Sequence, residues 1–185
     1  MKRNASRGEQ HGFTLMELMM TITVLGVLTA LAVPSFTTMT NKNRLASESN
    51  ELLSGIQFAR MEAIRTNSKV TFCGAANATV AADADCGTGV QPYWVVIGNA
   101  AGGGQQQLRV FEVKEPLQVS TALTSISFSA DGLARDSVTH ALVSGSITVC
   151  LPATKPAQNK RVLNIASGSR VNITTPTADG GGTCS

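Results

Sequence analysis

Apolar positions along the chain change period twice. From Phe13 to Val33 they run almost unbroken, 21 residues in which Glu17 is the only charge. About 20 apolar residues span a bilayer core as a helix, so the length predicts a membrane segment. Beyond Pro34 the pattern becomes helical. Leu45, Leu52, Ile56, Ala59 and Ala63 fall on one face, Leu53 and Ile64 widen the stripe, and Arg44, Glu48, Glu51, Arg60 and Arg65 mostly take the rest. One long helix is expected from Phe13 to about Thr66, kinked near Pro34 because proline removes a backbone hydrogen bond. Its second half packs on the domain that follows, and Asn67-Ser68 ends it.

After Ser68 the period shortens to that of strands. Lys69–Cys73, Pro92–Ile97, Leu108–Val113, Leu117–Ser120, Ser125–Ser129, Ser146–Leu151, Arg161–Ile165 and Arg170–Thr174 are β-branched or alternating runs. Asp131-Gly132 reads as a hairpin turn. Small residues from Gly74 to Gly89 form a loop, Gly102-Gly103-Gly104 a turn, and Thr175 to Ser185 a glycine-rich tail. The pattern divides the chain into a leader (1–12), a transmembrane half-helix (13–33), an extracytoplasmic half-helix (34–67) and a β-rich domain (68–185).

Composition adds little about partners but much about compartment. A net charge of +3 is weakly basic, and charged residues make up only 15 % of the chain. The short leader, with Lys2, Arg3 and Arg7 against Glu9, holds its end in the cytoplasm, so the β-domain lies outside the inner membrane. No small-x-small cleavage site follows the apolar run, unlike an ordinary secretory signal. Cys73, Cys86, Cys150 and Cys184 all lie beyond the membrane segment, where an even count suggests disulfides. The connectivity is open from sequence; Cys73–Cys86, closing a short loop, with Cys150–Cys184, tying the tail to a late strand, is favoured. No metal set is expected, since there is no CxxC and His140 is the one histidine outside the leader. Asp83 and Asp85 fall far short of a calcium cage. No cofactor is expected, and no catalytic constellation is found: there is no GxSxG, no HExxH, and His140 lacks a nucleophile motif.

The anomaly is Glu17. A carboxylate inside hydrocarbon costs about 2.5–3.5 kcal/mol even on insertion scales, which marks intramembrane acids as functional by default. Its surroundings, a basic leader and then Gly12-Phe13-Thr14-Leu15-Met16-Glu17-Leu18 opening an apolar helix, closely resemble the type IV prepilin signature. That resemblance implies cleavage between Gly12 and Phe13 by a prepilin peptidase, which also N-methylates Phe13. It gives Glu17 the task of neutralising the Phe13 amine of a neighbouring subunit during assembly, an attraction that low dielectric strengthens.

Phe58-Ala59-Arg60-Met61-Glu62-Ala63-Ile64-Arg65-Thr66-Asn67-Ser68-Lys69-Val70-Thr71-Phe72-Cys73 narrows the match. With Tyr93–Val96, Ile126–Gly132 and the Arg161-Val162 to Arg170-Val171 pair, it resembles the GspH/FimT family. The fold implied is α+β and type IV pilin-like, a long N-terminal helix against a small antiparallel β-sheet domain. The role implied is a low-abundance, non-enzymatic subunit near a filament tip, in contact with other pilins or pseudopilins. Three functions fit: a minor pilin priming or capping a type IV pilus, which the disulfides slightly favour; a type II secretion minor pseudopilin; and a FimT-like DNA receptor. Such receptors share a C-terminal Gly-Arg-x-Arg motif, and the matching positions here read Gly168-Ser169-Arg170-Val171, with both arginines out of place. Lys160, Arg161 and Arg170 remain the candidate DNA contacts, provided adjacent strands bring Arg161 and Arg170 together.

Overall fold

The computed structural model describes residues 12–80, 82–100, 103–136, 139–167, 169–177 and 182–184, with the side chains of 31–34 outside the description. The basic leader, Gly168 and much of the glycine-rich tail therefore lie outside the described residues, as does the side chain of Pro34. Two compact units divide the chain, one ending at Thr38 and the other running from Met39 to Ser185. One helix, α1 (Leu15–Thr66), contributes to both.

In the first unit α1 is apolar and exposed. Leu15, Met16, Leu18, Ile22, Leu25 and Leu28 are each more than half exposed. The threonines in this stretch are satisfied locally: Thr21, Thr23 and Thr29 donate to carbonyls of the preceding turn at 2.8–2.9 Å. By length and composition this helix can cross a membrane.

In the second unit the predicted stripe is the core: Leu45, Leu52, Ile56, Ala59 and Ala63 are 2 % exposed or less. Leu53 packs at its margin, whereas Ile64 is half exposed. Asn67 ends α1 by taking a left-handed φ of 49°, and Ser68 N–H then bonds Ala63 O at 3.2 Å. This is a Schellman-type stop.

Among the described residues eleven strands follow, as two antiparallel sheets rather than one. The first is ordered β5 (Gln105–Glu112), β4 (Tyr93–Asn99), β1 (Val70–Ala75), β7 (Ile126–Phe128), β8 (Ala134–Arg135), with β2 (Cys86–Gly87) also on β1. The second is ordered β11 (Arg170–Thr174), β10 (Lys160–Ala166), β9 (Gly145–Cys150), β6 (Gln118–Thr121), β3 (Gly89–Val90). The eight expected runs all appear, Arg170–Thr174 with its ends unchanged and the others shifted by one to three residues at theirs. β2, β3 and β8 escape sequence patterning because two residues carry no period.

Both sheets share a core with α1. Val70 and Phe72 from β1, Trp94 and Val96 from β4, Ile147 and Val149 from β9, and Leu163 and Ile165 from β10 all enter it. Phe72 stacks on Trp94 with centroids 5.3 Å apart, so the lone tryptophan is core. β1 is buried along its whole length. Its alternate residues, Cys73 and Ala75, join Val80, Val95 and Ile97 in a second cluster.

That cluster exists because the segment from Ala76 to Val90 holds more structure than a solvated loop. A Cys73–Cys86 disulfide closes it, and Lys69 Nζ meets Asp83 Oδ2 at 2.6 Å. Gln107 and Gln105 accept from the N–H groups of Val80 and Asp83 at 2.8 and 3.0 Å. The second disulfide joins Cys150 to Cys184, so the favoured connectivity is the one observed.

Candidate assembly site

Thr14 directly precedes α1, and its Oγ1 accepts the backbone N–H of Glu17 at 3.2 Å. The Thr14-x-x-Glu17 spacing is that of a capping box, and an acid in the first turn complements the helix dipole. The hydrogen bond there is made by the Glu17 backbone N–H and the Thr14 side chain; the Glu17 carboxylate adds only its charge in the first turn to the intermolecular role expected of it. The spacing was the available signal. Just before the cap, Phe13 is 85 % exposed, and a Cβ built on Gly12 meets nothing within 4 Å.

The three candidate DNA contacts do not converge. Arg170 pairs with Ala166 at one end of the β10–β11 hairpin, while Lys160 pairs with Cys150 at the other. Six residues of strand separate them, roughly 20 Å at about 3.3 Å per residue. Arg161 pairs with Val149, which is fully buried, so it alternates with Lys160 onto the core-facing side. There it donates to Lys160 O at 2.8 Å. The expected meeting of Arg161 and Arg170 fails because the antiparallel register sets them at opposite ends.

At the position of the receptor motif's first arginine, Ser169 is a junction instead. It is buried, with φ +65°. Its Oγ accepts the N–H of Ala134 on β8, and its carbonyl accepts Arg60 Nη1 from α1 at 3.5 Å. Helix, first sheet and second sheet meet there.

Glu48 corrects a second expectation. The helical pattern places it on the polar side of α1, yet it is 2 % exposed. Burial pushes its carboxyl above the ordinary 4.5, and Glu51 adds to the shift; the Lys114 charge and its backbone N–H pull the other way. A group whose folded pKa is raised contributes stability below its unfolded value, and loses that contribution as pH climbs through the folded value. The wild-type chain should therefore lose stability relative to Glu48→Gln between about pH 4 and neutrality. Thermal unfolding of both across that range checks this; a constant difference would mean that Glu48 is solvated.

A cavity of about 660 Å³, open to solvent, lies between β3, β4, β5 and β6, lined by residues that include Pro92, Tyr93, Glu112 and Leu117. No histidine, serine or cysteine lines it. Among the described residues no three His, Cys, Asp or Glu side chains are grouped to hold a metal.

Residues 48–169, well over half of the chain, match the family model for type II transport protein GspH. The chain belongs to the GspH family. Residues 7–33 match the prokaryotic N-terminal methylation motif. The fold of this GspH-family protein is similar to that of the type IV minor pilin FimU of Pseudomonas aeruginosa, at 18 % identity and a TM-score of 0.52, over 76 % of this chain and 98 % of that one. It is equally similar to the minor pseudopilin EpsH from the type 2 secretion system of Vibrio cholerae, at 10 % identity and a TM-score of 0.52, over 72 % and 98 %. No curated protein sequence matches. The fold is thus that of minor pilins and pseudopilins, a structural rather than a catalytic class.

Proposed function

We propose that this chain is a minor pilin that primes or caps assembly of a type IV pilus. The observation carrying the proposal is the methylation motif at residues 7–33, which leads into an exposed apolar helix continuous with the one that anchors the β-domain. A prepilin peptidase cuts between Gly12 and Phe13 and methylates Phe13. Residues 13–33 then hold the subunit in the inner membrane, residues 34–67 carry the domain, and residues 68–185 face the periplasm. An apolar surface exposed on all sides of a helix needs lipid or other helices around it, and a filament core supplies the latter. On extraction from the bilayer, Glu17 neutralises the Phe13 amine of a neighbour, and the β-domain sits near the tip.

The second reading is a secretion pseudopilin, favoured by the matching family model itself. A DNA receptor is disfavoured by the register that separates Lys160, Arg161 and Arg170.

Mass spectrometry of pili sheared from intact cells tests the proposal. Mature chain beginning at methylated Phe13, together with a major pilin, is the expected result. Retention in the envelope while the major pilin is sheared off would favour the secretion pseudopilus. Glu17→Val should still be cleaved yet be depleted from the sheared fraction; normal incorporation would remove the role given to Glu17.

A further inference from the structure

β5 is an edge strand of the first sheet, and Arg109 stands on it, exposed to solvent. It lies opposite Val96 in the register, and Phe111 opposite Trp94. Since Val96 and Trp94 are core residues, Arg109 and Phe111 face the α1 side. The Arg109 guanidinium carbon sits 5.4 Å from the Phe58 ring of α1 and 5.1 Å from the Phe111 ring. Both distances are within cation–π range. Among the described residues no ion pair to Arg109 is found, while Glu62, four residues along α1 from Phe58, is held by Arg65 through two hydrogen bonds.

This arrangement matters because guanidinium faces are weakly hydrated whereas the edges carry the N–H donors. Two aromatic contacts hold the charged group in place, so ordering it on binding costs less side-chain entropy than ordering a free arginine would. A charge placed merely to keep strands from pairing on an edge needs no such fixing; a mobile, solvated lysine does that. The groups left outward are N–H donors in a fork that matches a carboxylate.

We propose that Arg109 and the β5 edge form a docking site for an aspartate or glutamate of a neighbouring protein subunit. A single fixed guanidinium complements one carboxylate. A polyanion needs several cations, and Glu112 lies three residues further along the same strand. The identification of the partner as a filament subunit rests on the function proposed above; the carboxylate chemistry does not.

Arg109→Lys in the full chain, expressed in cells and treated with a carbodiimide, puts an amine where a salt-bridged carboxylate is converted to an amide. The expected result is an amide joining position 109 to an Asp or Glu of another chain, located by mass spectrometry. No such link, or links only to this chain's own Glu62 or Glu112, would overturn the proposal. Arg109→Glu, which gives up both ring contacts, should lower the thermal midpoint by no more than a few degrees and lower the chain's occupancy in its assembly at least about tenfold, about 1.4 kcal/mol of binding. Unchanged occupancy would also overturn it, as would loss of DNA retention in that variant with no protein link. If the linked carboxylate belongs to a protein outside any filament, the docking site stands and the filament-subunit reading falls.

Discussion

Replacing Gly55 with leucine should destabilise the second unit by about 3 kcal/mol or more. Gly55 is buried on α1, and a Cβ there falls 2.8 Å from ring carbons of both Phe72 and Phe111. Phe72 is fully buried and stacked on Trp94, and its ring also meets Phe111 edge-on at 6.4 Å. Neither ring can withdraw without opening the core on its far side. Overpacking of this kind costs about 1–3 kcal/mol for a few added methylenes and sometimes more. Leucine also gains about 1 kcal/mol of helix propensity over glycine, so the clash has to exceed that for the effect to appear. The side chain beyond the Cβ makes it do so. Thermal unfolding of the detergent-solubilised chain should show a midpoint lower by roughly 6–12 °C. Gln57→Leu, exposed two residues away, should stay within about 0.5 kcal/mol of wild type. Equal midpoints for the two variants would mean that the helix does not sit this close to β1 and β5.

Gly12→Val should leave uncleaved precursor in the membrane, with mature chain reduced at least about tenfold. That ratio corresponds to about 1.4 kcal/mol of lost transition-state stabilisation in the peptidase. The substitution leaves the chain's own fold alone, because a Cβ at Gly12 meets nothing within 4 Å and the cap on α1 is the Thr14 hydroxyl accepting the Glu17 N–H. A processing defect in this variant therefore arises in the peptidase's site. Immunoblotting for precursor and mature forms, with thermal unfolding as a control, reads the two apart. Mature protein at wild-type levels would move the cleavage site elsewhere.

Local pattern was enough for several features. The helical stripe at Leu45, Leu52, Ile56, Ala59 and Ala63 is the core face observed, since a helix that packs on one side must repeat near 3.6 residues. Asn67 was legible as the stop because a left-handed residue is needed there and asparagine tolerates it. Strand positions followed from β-branched alternation, whereas the disulfide pairing was open among three connectivities until the fold brought Cys73 to Cys86 and Cys150 to Cys184. The N-terminal signature is a contiguous motif, so a peptidase can read it before any tertiary fold exists.

Other features depend on neighbours that are distant in sequence. Glu48 looks like a surface acid until the Lys114 segment covers it. Gly55 looks like a weak point in a helix until two phenylalanines from β1 and β5 require the space. The separation of Arg161 from Arg170 follows from the register of β10 and β11. The fixing of Arg109 takes a helix ring and a strand ring together. By itself, then, the sequence determined the helix, its membrane-length apolar half, the processing motif and the longer strands, all of which depend on residues within a few positions of one another. The tertiary structure alone decided the two-sheet division, the buried acid and which basic residues share a surface, because those depend on pairings whose partners lie tens of residues apart.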